Sequence, residues 1–200
     1  MTDVLFLGLD IHPLEIIEML DEKGGYRVLG FISESGDYPA ECCGYPILGT
    51  ARDLGKYPGA MRIPTHGWKD CEDRANWMNV IASSAFVSSS ASLGVGCVIY
   101  PNCFIGARAR LGDGVFMLAG SVVNHDCAIG DKAVIASGVI LAGSVTVKER
   151  AYLGQGCNVR QHLTIGKNSM VGMGAVVTRD VDDCATVMGV PARPYRKNGE

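Results

Sequence analysis

The chain has 200 residues and a mass of 21.2 kDa, with 48% hydrophobic and 20% charged residues, a composition that excludes a disordered protein. Its 18 Lys and Arg against 21 Asp and Glu give a net charge of −3, so we expect no basic surface for a nucleic-acid partner. The apolar run at residues 4–9 is too short for a membrane span and lacks the basic flank of a signal peptide. The sequence therefore predicts a cytoplasmic protein.

The cysteines and histidines are too dispersed to indicate disulfides or a metal site. Cys42 and Cys43 are adjacent, and the eight Cys contain no CxxC pair. The histidines stand singly, at His12, His66, His125 and His162. We therefore expect reduced thiols and no metal.

The first 84 residues predict a small α/β domain with a parallel, Rossmann-like sheet. Strand patterns cover residues 4–9, 26–33 and 61–65. A helix is predicted from Pro13 to Gly24, a short one over 51–55, and another over 70–82. Alternating strands and helices of this length are typical of such a domain.

A six-residue repeat dominates residues 85–179. Every sixth residue from position 93 to position 177 is Ile, Leu, Val or Met, fifteen in a row, where chance would give about five. The next residue is often Gly, and the residue two before is mostly Ala, Ser or Cys. The series is Leu93, Ile99, Ile105, Leu111, Met117, Val123, Ile129, Ile135, Leu141, Val147, Leu153, Val159, Ile165, Val171 and Val177.

This period predicts a β-solenoid with three six-residue sides per coil, hence about five coils, followed by a tail over 180–200. The large apolar residue and the small one should face inward, which makes Cys97, Cys103, Cys127 and Cys157 core residues. The glycines are expected to form the corners. A prism of this kind has exposed faces, so lateral association is also expected.

The repeat, with Gly189-Val190-Pro191-Ala192-Arg193 after it, resembles the left-handed β-helix acyltransferases. That resemblance implies a left-handed coil, a homotrimer and acetyl-CoA as co-substrate. With the α/β domain and the segment Asn124-His125-Asp126-Cys127-Ala128-Ile129-Gly130, the whole chain resembles a narrower group. It comprises sialic-acid O-acetyltransferases and N-acetyltransferases of nucleotide-linked 4-amino-4,6-dideoxy sugars, so the implied acceptor is a nucleotide-linked or free sugar.

The resemblance implies a catalytic pair in this segment. His125 stands two residues after Val123, which predicts an outward position on a corner. In the group this His is the general base, and an acidic neighbour, here Asp126, raises its basicity. A backbone amide at the position of Gly143 holds the oxyanion, and transfer is direct, without an acyl-enzyme. The alternatives are a surface His beside a surface Asp and a glycine required only by its corner.

Further resemblance-based assignments concern coenzyme A. Gln155 and Met173 match positions whose main chain lines the pantetheine groove, although both are equally consistent with solvent-facing side chains. Arg193, Arg196 and Lys197 are candidates for its phosphates, or a solvated cluster at a chain end.

The implied sugar-nucleotide site lies in the first domain. Its residues are Asp10, Ile11, His12, Ser33, Glu34 and Gly67. The turn departs from the group at Ile11 and Pro13, where glycines are usual, which puts the ordinary mode of phosphate binding in doubt. Trp68 stacks on a base or covers the domain seam.

The polar surroundings of the acetyl site also depart from the group, with Leu118, Asn124 and Val134 at positions that commonly carry polar side chains. The function predicted is N-acetylation of a nucleotide-linked amino-dideoxy sugar. The alternatives are a sialic-acid-type O-acetyltransferase and a non-catalytic trimeric scaffold. A zinc hydrolase of the same fold needs three converging His, whereas only His125 and His162 lie in the repeat.

Overall fold

The computed structural model describes residues 1–9, 13–65, 68, 74 and 76–195. Two compact units divide the chain, Met1–Ser83 and Ser84–Glu200. Among the described residues, no helix has both the length and the apolar character needed to cross a membrane.

The elements of the N-terminal unit are, in chain order, β1 (Thr2–Leu7), α1 (Pro13–Lys23), β2 (Tyr26–Ser33), β3 (Glu41–Cys42), β4 (Tyr45–Thr50), a 3₁₀ helix (Ala51–Lys56) and β5 (Met61–Pro64). The five strands form one sheet in the order β3-β4-β2-β1-β5. Strands β4, β2, β1 and β5 are parallel, and β3 is antiparallel to β4. A further short strand, Val80–Ile81, ends the unit.

The prediction of a parallel α/β sheet is confirmed, but the Rossmann-like arrangement is not supported. Of the described residues in this unit, only those of α1 form an α-helix. The connection from β2 to the parallel strand β4 passes through β3 instead of a helix. Residues 34–44 are rich in Gly, acidic residues and Cys without helical apolar spacing, so no crossover helix forms there.

The helix expected over 70–82 is wrong for the residues described. Asn76 has φ +65°, a left-handed conformation that stops a helix. Arg62 N–H donates to Asn76 O at 2.8 Å, and Met78 N–H donates to Arg62 O at 3.0 Å, which places Trp77 beside β5. Residues 69–73 and 75 lie outside the described residues.

The second unit is a solenoid of short strands on three faces, in which the regular strands pair in parallel with the one 18 residues later. The first face holds Phe86–Val87, Phe104–Ile105, Val122–Val123, Ile140–Leu141, Asn158–Val159 and Val176–Val177. The second holds Ser92–Leu93, Arg110–Leu111, Ala128–Ile129, Thr146–Val147 and Thr164–Ile165. The third holds Val98–Ile99, Phe116–Met117, Val134–Ile135, Tyr152–Leu153, Met170–Val171, Thr186–Met188 and Arg193–Pro194.

The expected count of five coils does not describe the solenoid. The first face has six strands, and five are found on the second face only. On the third face the sheet continues beyond the hexad run, through Thr186–Met188 and the antiparallel Arg193–Pro194. Residues 186–188 show no hexad pattern, because one terminal strand needs no repeat to pair with the last regular strand.

The predicted register is confirmed by burial. All the hexad residues named above except Leu93, which is half-buried, are buried. Cys97, Cys103, Cys127 and Cys157 are at most 2% exposed, as expected for core residues. Burial raises the pKa of the Cys97 thiol to about 11 and that of Cys157 to about 12, so both are protonated at neutral pH.

The role expected for the repeated glycines is wrong in one respect. An added Cβ at Gly106 would lie 2.8 Å from the backbone of His125, and one at Gly130 would lie 2.5 Å from Glu149 N. These glycines therefore permit the close approach of the next coil. The left-handed corner residue comes two positions later, and it is Arg108 after Gly106 and Lys132 after Gly130.

Candidate active site

His125 lies on the corner between the first and second faces, pointing outward as predicted. We call this corner, residues 106–109, 124–127, 142–145 and 160–163, the His125 edge. The His125 side chain is 61% exposed, and its Nδ1 lies 2.8 Å from Asp126 Oδ2. The imidazole is therefore accessible and is held through one ring nitrogen.

Asp126 is held in turn by Arg108, from the coil preceding it. Arg108 Nε donates to Asp126 Oδ1 at 2.7 Å, and Arg108 Nη2 donates to Oδ2 at 2.8 Å. These hydrogen bonds, followed by that of His125, hold the pKa of the Asp126 carboxyl well below its usual range. The carboxylate is thus ionised at any pH at which the protein would work.

An ionised carboxylate only accepts hydrogen bonds, which decides the tautomer of a neutral His125. Nδ1 carries the proton that bonds to Asp126, and the lone pair is left on Nε2. The exposed nitrogen is therefore the basic one, which is the arrangement that a general base requires.

Gly143 lies against the His125 ring, one coil further on. A Cβ at this position would lie 2.6 Å from both Cε1 and Nε2 of His125. The coils are joined by Ser144 N–H donating to His125 O at 2.9 Å, while Gly143 O accepts from His162 N–H at 3.2 Å. The glycine is therefore required for the ring to occupy its place.

Gln155 and Met173 lie on a different edge. Both are exposed, on the corner between the third and first faces, where Gly174 N–H donates to Gln155 O at 2.8 Å. We call this corner the glycine edge, after its left-handed residues Gly120, Gly138, Gly156 and Gly174. One chain therefore does not bring Gln155 or Met173 to His125.

The glycine edge has an unobstructed main chain. An added Cβ at Gly120, Gly156 or Gly174 would meet no atom within 4 Å, so packing does not require these glycines. Their φ values of +65° to +71° favour glycine, and its lack of a side chain leaves the backbone open to close approach.

The residues that depart from the resembling group do not gather at His125. Asn124 Nδ2 donates to Leu141 O at 2.7 Å, so this amide is used within the solenoid. Val134 lies on the third face and is 7% exposed, and Leu118 stands at the start of a glycine-edge corner.

Part of the expected sugar-nucleotide site falls outside the described residues, namely Asp10, Ile11, His12 and Gly67, as do Arg196 and Lys197. At the end of β2, Ser33 is 2% exposed and its Oγ accepts from Ser35 N–H at 3.2 Å, while Glu34 is exposed. Gly8, with φ +99°, follows the neighbouring strand β1. The carboxyl ends of β1 and β2 thus form one sheet edge.

Trp68 is a core residue of this unit, which argues against the expected role in stacking on a base. It is 3% exposed and packs with Leu7, Ile32 and Trp77. A buried indole face is not available for stacking on a base.

Two further expectations concern a metal site and the arginine near the C-terminus. Within the described ranges, no group of three or more His, Cys, Asp or Glu residues is arranged to hold a metal ion. Arg193 Nη1 donates to Ala192 O at 2.8 Å, in the short strand that ends the third face.

Arg108 is the site residue that sequence reasoning missed. It is 18 positions before Asp126, so the two share one corner position on successive coils. An arginine and an aspartate 18 residues apart could have been predicted to form an ion pair, because one coil of the solenoid contains 18 residues.

Three solved structures illustrate what the chain is similar to. A mutant form of GDP-perosamine N-acetyl transferase from Caulobacter crescentus, in complex with CoA and GDP-perosamine, is 28% identical, with a TM-score of 0.84 over 98% of this chain and 97% of that one. The acetyltransferase domain of PglB from Neisseria gonorrhoeae FA1090, in complex with acetyl coenzyme A, is 26% identical, with a TM-score of 0.82 over 96% and 98%.

WeeI from Acinetobacter baumannii AYE, at 23% identity and a TM-score of 0.73 over 98% of this chain and 100% of that one, shares the fold. No protein-family model and no curated protein sequence matches the chain. The resemblance to β-helix sugar acetyltransferases, first drawn from the hexads and the segment around His125, is confirmed by these structures.

Proposed function

We propose that the protein is an acetyl-CoA-dependent N-acetyltransferase acting on a nucleotide-linked amino sugar, with His125 as the general base. The observation that carries the proposal is the exposed imidazole whose Nδ1 is held by Asp126 at 2.8 Å, leaving Nε2 as the base. The similarity to an enzyme bound to CoA and GDP-perosamine supports the choice of donor and acceptor.

In the proposed reaction the acceptor amine attacks the thioester carbonyl as His125 Nε2 takes its proton. The Gly143 N–H forms no hydrogen bond with the described residues and is adjacent to the ring, so it is the donor proposed for the oxyanion. The tetrahedral intermediate expels the coenzyme A thiolate, which receives the proton back from the imidazolium. Cys127, buried on the same edge, has a pKa raised by burial and is no candidate for an acyl-enzyme.

The proposed site needs a second copy of the chain, since the glycine edge and the His125 edge lie on opposite sides of the first face. That face carries exposed apolar side chains, Phe86 at 56%, Phe104 at 38% and Ile140 at 43%. The rings of Phe86 and Phe104 stack with centroids 5.1 Å apart. A homotrimer that covers this face would bring the glycine edge of one copy to the His125 edge of the next.

The remaining parts of the proposal concern the acceptor and the chain as a whole. Asp10, Ile11, His12, Ser33, Glu34 and Gly67 are proposed to bind the sugar nucleotide. Support comes from the sheet edge where β1 and β2 end, because parallel sheets bind ligands at their carboxyl ends. The proposal also includes domain boundaries at residues 84 and 179, a left-handed coil and a cytoplasmic location.

The test measures release of coenzyme A and mass gain of the acceptor, with acetyl-CoA and a panel of nucleotide-linked amino sugars plus sialic acid. We expect turnover of an amino sugar and a fall in kcat/KM of about 100-fold or more in His125→Ala, with an unchanged circular dichroism spectrum. Unchanged turnover in this variant would overturn the mechanism. Acetylation of sialic acid alone, or no acetyl-CoA binding by the folded protein, would overturn the proposed reaction.

The assembly is tested by light scattering on Phe104→Glu and on Thr146→Glu, an exposed position of the polar second face. Phe104→Glu should dissociate the trimer and abolish activity, because a charge would be buried in an apolar contact. Thr146→Glu should leave both intact. A trimeric Phe104→Glu protein would show that another face mediates association.

A further inference from the structure

We propose that Arg108 is a positioning residue of the active site, which orients Asp126 so that this carboxylate holds His125 with Nε2 outward. The inference deepens the proposed function and rests on it. Arg108 is not proposed to contact the acceptor amine or the thioester carbonyl; it acts through Asp126.

The geometry distinguishes this contact from an incidental surface ion pair. Arg108 engages both carboxylate oxygens, at 2.7 and 2.8 Å, and Asp126 Oδ2 also meets His125 Nδ1 at 2.8 Å. A planar guanidinium fork fixes the plane of a carboxylate, which a single ammonium group cannot do. The position of Oδ2, and with it that of the imidazole, is therefore set by Arg108.

The backbone places the pair in register. Arg108 and Asp126 adopt the same left-handed conformation, with φ +57° and +61°, on successive coils. Arg108 N–H donates to Ser90 Oγ at 3.1 Å, and Asp126 N–H donates to Ala107 O at 2.9 Å. Both side chains therefore project from corners whose backbone is fixed by hydrogen bonds to the preceding coil.

The charge of Arg108 has a second consequence. A lone carboxylate beside an imidazole favours the imidazolium, which cannot accept a proton, and a guanidinium on the same carboxylate opposes this. On the described His125 edge the next coil presents Gly143 and Ser144, which are uncharged, and the coil beyond presents Arg160 and His162. Arg110 is exposed on the second face, opposite Ala128. Among these described residues, Arg108 is the cation that engages both oxygens of Asp126.

The role can be separated from stability. The Arg108 and Asp126 side chains are 65% and 34% exposed, and exposed ion pairs contribute little to folding. Arg150 provides a matched control, since it is an exposed arginine at the equivalent corner position with φ +56°, and its side chain has no partner among the described residues.

The experiment compares kcat, KM and their pH profiles for wild type, Arg108→Gln, Arg108→Lys and Arg150→Gln. In Arg108→Gln we expect kcat to fall about tenfold with KM unchanged, and the acidic limb to move up by about half a pH unit. Arg108→Lys should restore the acidic limb to its wild-type pH, because lysine keeps the positive charge. It should not restore the full kcat, because lysine lacks the planar guanidinium group that binds both carboxylate oxygens. Arg150→Gln should match wild type.

A second readout does not depend on turnover. Diethyl pyrocarbonate modifies the neutral imidazole, so mass spectrometry of the His125 peptide across pH reports its free-base fraction. In Arg108→Gln the half-maximal labelling should move up by about half a pH unit. If wild type shows no transferase activity, the proposed function fails, and this labelling still decides the role of Arg108.

Two results would overturn the inference. If Arg108→Gln matches Arg150→Gln in kcat, pH profile and labelling, the ion pair is a surface contact. Alternatively, an increased KM for acetyl-CoA with unchanged kcat and labelling would assign Arg108 to binding the phosphates of the donor.

Discussion

The His125 edge and the glycine edge use the same left-handed corner for different purposes. On the His125 edge the corner residues are Arg108, Asp126, Ser144 and His162, all with φ near +60°. On the glycine edge four successive coils have glycine there. A left-handed backbone is unfavourable for residues other than glycine, Asn and Asp. The His125 edge therefore presents side chains at the expense of some backbone strain.

In the proposed reaction the two edges are suited to different roles. Side chains that move a proton must project from the corner, whereas a long flexible donor is bound best along a main chain without side chains. The difference should appear in kinetics, with the His125 edge affecting kcat and the glycine edge affecting KM.

A charge placed in the solenoid core should disrupt both edges at once. Ile135 is fully buried in the solenoid, so Ile135→Asp places an unpaired charge in the core shared by all three faces. The cost is roughly 5 kcal/mol, comparable with the whole free energy of unfolding. Circular dichroism and gel filtration should show unfolded or aggregated protein, and a folded, active Ile135→Asp protein would contradict the register.

Gly143→Ala should damage the His125 edge alone. Its Cβ would lie 2.6 Å from the imidazole, so the ring must rotate away from its position while the coil stays folded. We expect kcat to fall about 100-fold with little change in melting temperature. Gly59→Ala is the control, because an added Cβ there meets nothing within 4 Å. Equal kcat in the two variants would show that the ring position is unimportant.

Gly156→Ala should affect the glycine edge alone. The added methyl group meets no atom of the chain, although its φ of +67° costs about 1 kcal/mol for alanine. A methyl group in the proposed groove should raise the KM for acetyl-CoA about tenfold with kcat unchanged. A variant with wild-type KM would exclude this stretch of backbone from the groove.

Thiol labelling tests the inward orientation of one cysteine from each edge. Cys127 and Cys157 are the inward residues of a His125-edge and a glycine-edge corner, and burial raises the pKa of both thiols. At pH 8 iodoacetamide should modify exposed Cys43 and Cys184 about 100-fold faster than either. Rapid labelling of Cys127 or Cys157 in native protein would contradict the inward orientation.

Asp126 should stay ionised throughout the pH range of activity. The pKa of Asp126 is lower in the folded protein than its ordinary value of 3.8. The carboxylate therefore stays ionised as the pH falls past 3.8, and it is protonated only when the pH falls through the lower pKa of the folded state. Protonation of Asp126 should therefore make no contribution to the kcat/KM profile above pH 5. A limb of slope two would indicate that Asp126 also titrates there.

Periodicity predicted the parts of the molecule in which every coil repeats the same contacts. The inward position of Cys157 and the outward position of His125 both follow from counting in sixes, since each coil contacts only its neighbours. The strand Tyr26–Ser33 and a helix starting at Pro13 were likewise predicted from local spacing.

Other features depended on contacts that no local pattern records. The segment before the solenoid has apolar spacing typical of a helix, yet Trp77 packs into the sheet core with Leu7 and Ile32. Tertiary packing overrides helical propensity in so short a segment. The strand Thr186–Met188 forms because the last regular rung offers free backbone groups, although its sequence has no hexad.

The hexad repeat is sufficient to predict the solenoid, its inward residues and the corner that carries His125 and Asp126, because a one-dimensional repeat converts residue number directly into position. The contacts made around that pair depend on the folded coils. Arg108 and Gly143 reach it from neighbouring coils, at separations of 18 residues from Asp126 and His125. The distance between side chains across coils depends on how each corner turns, which no single hexad encodes.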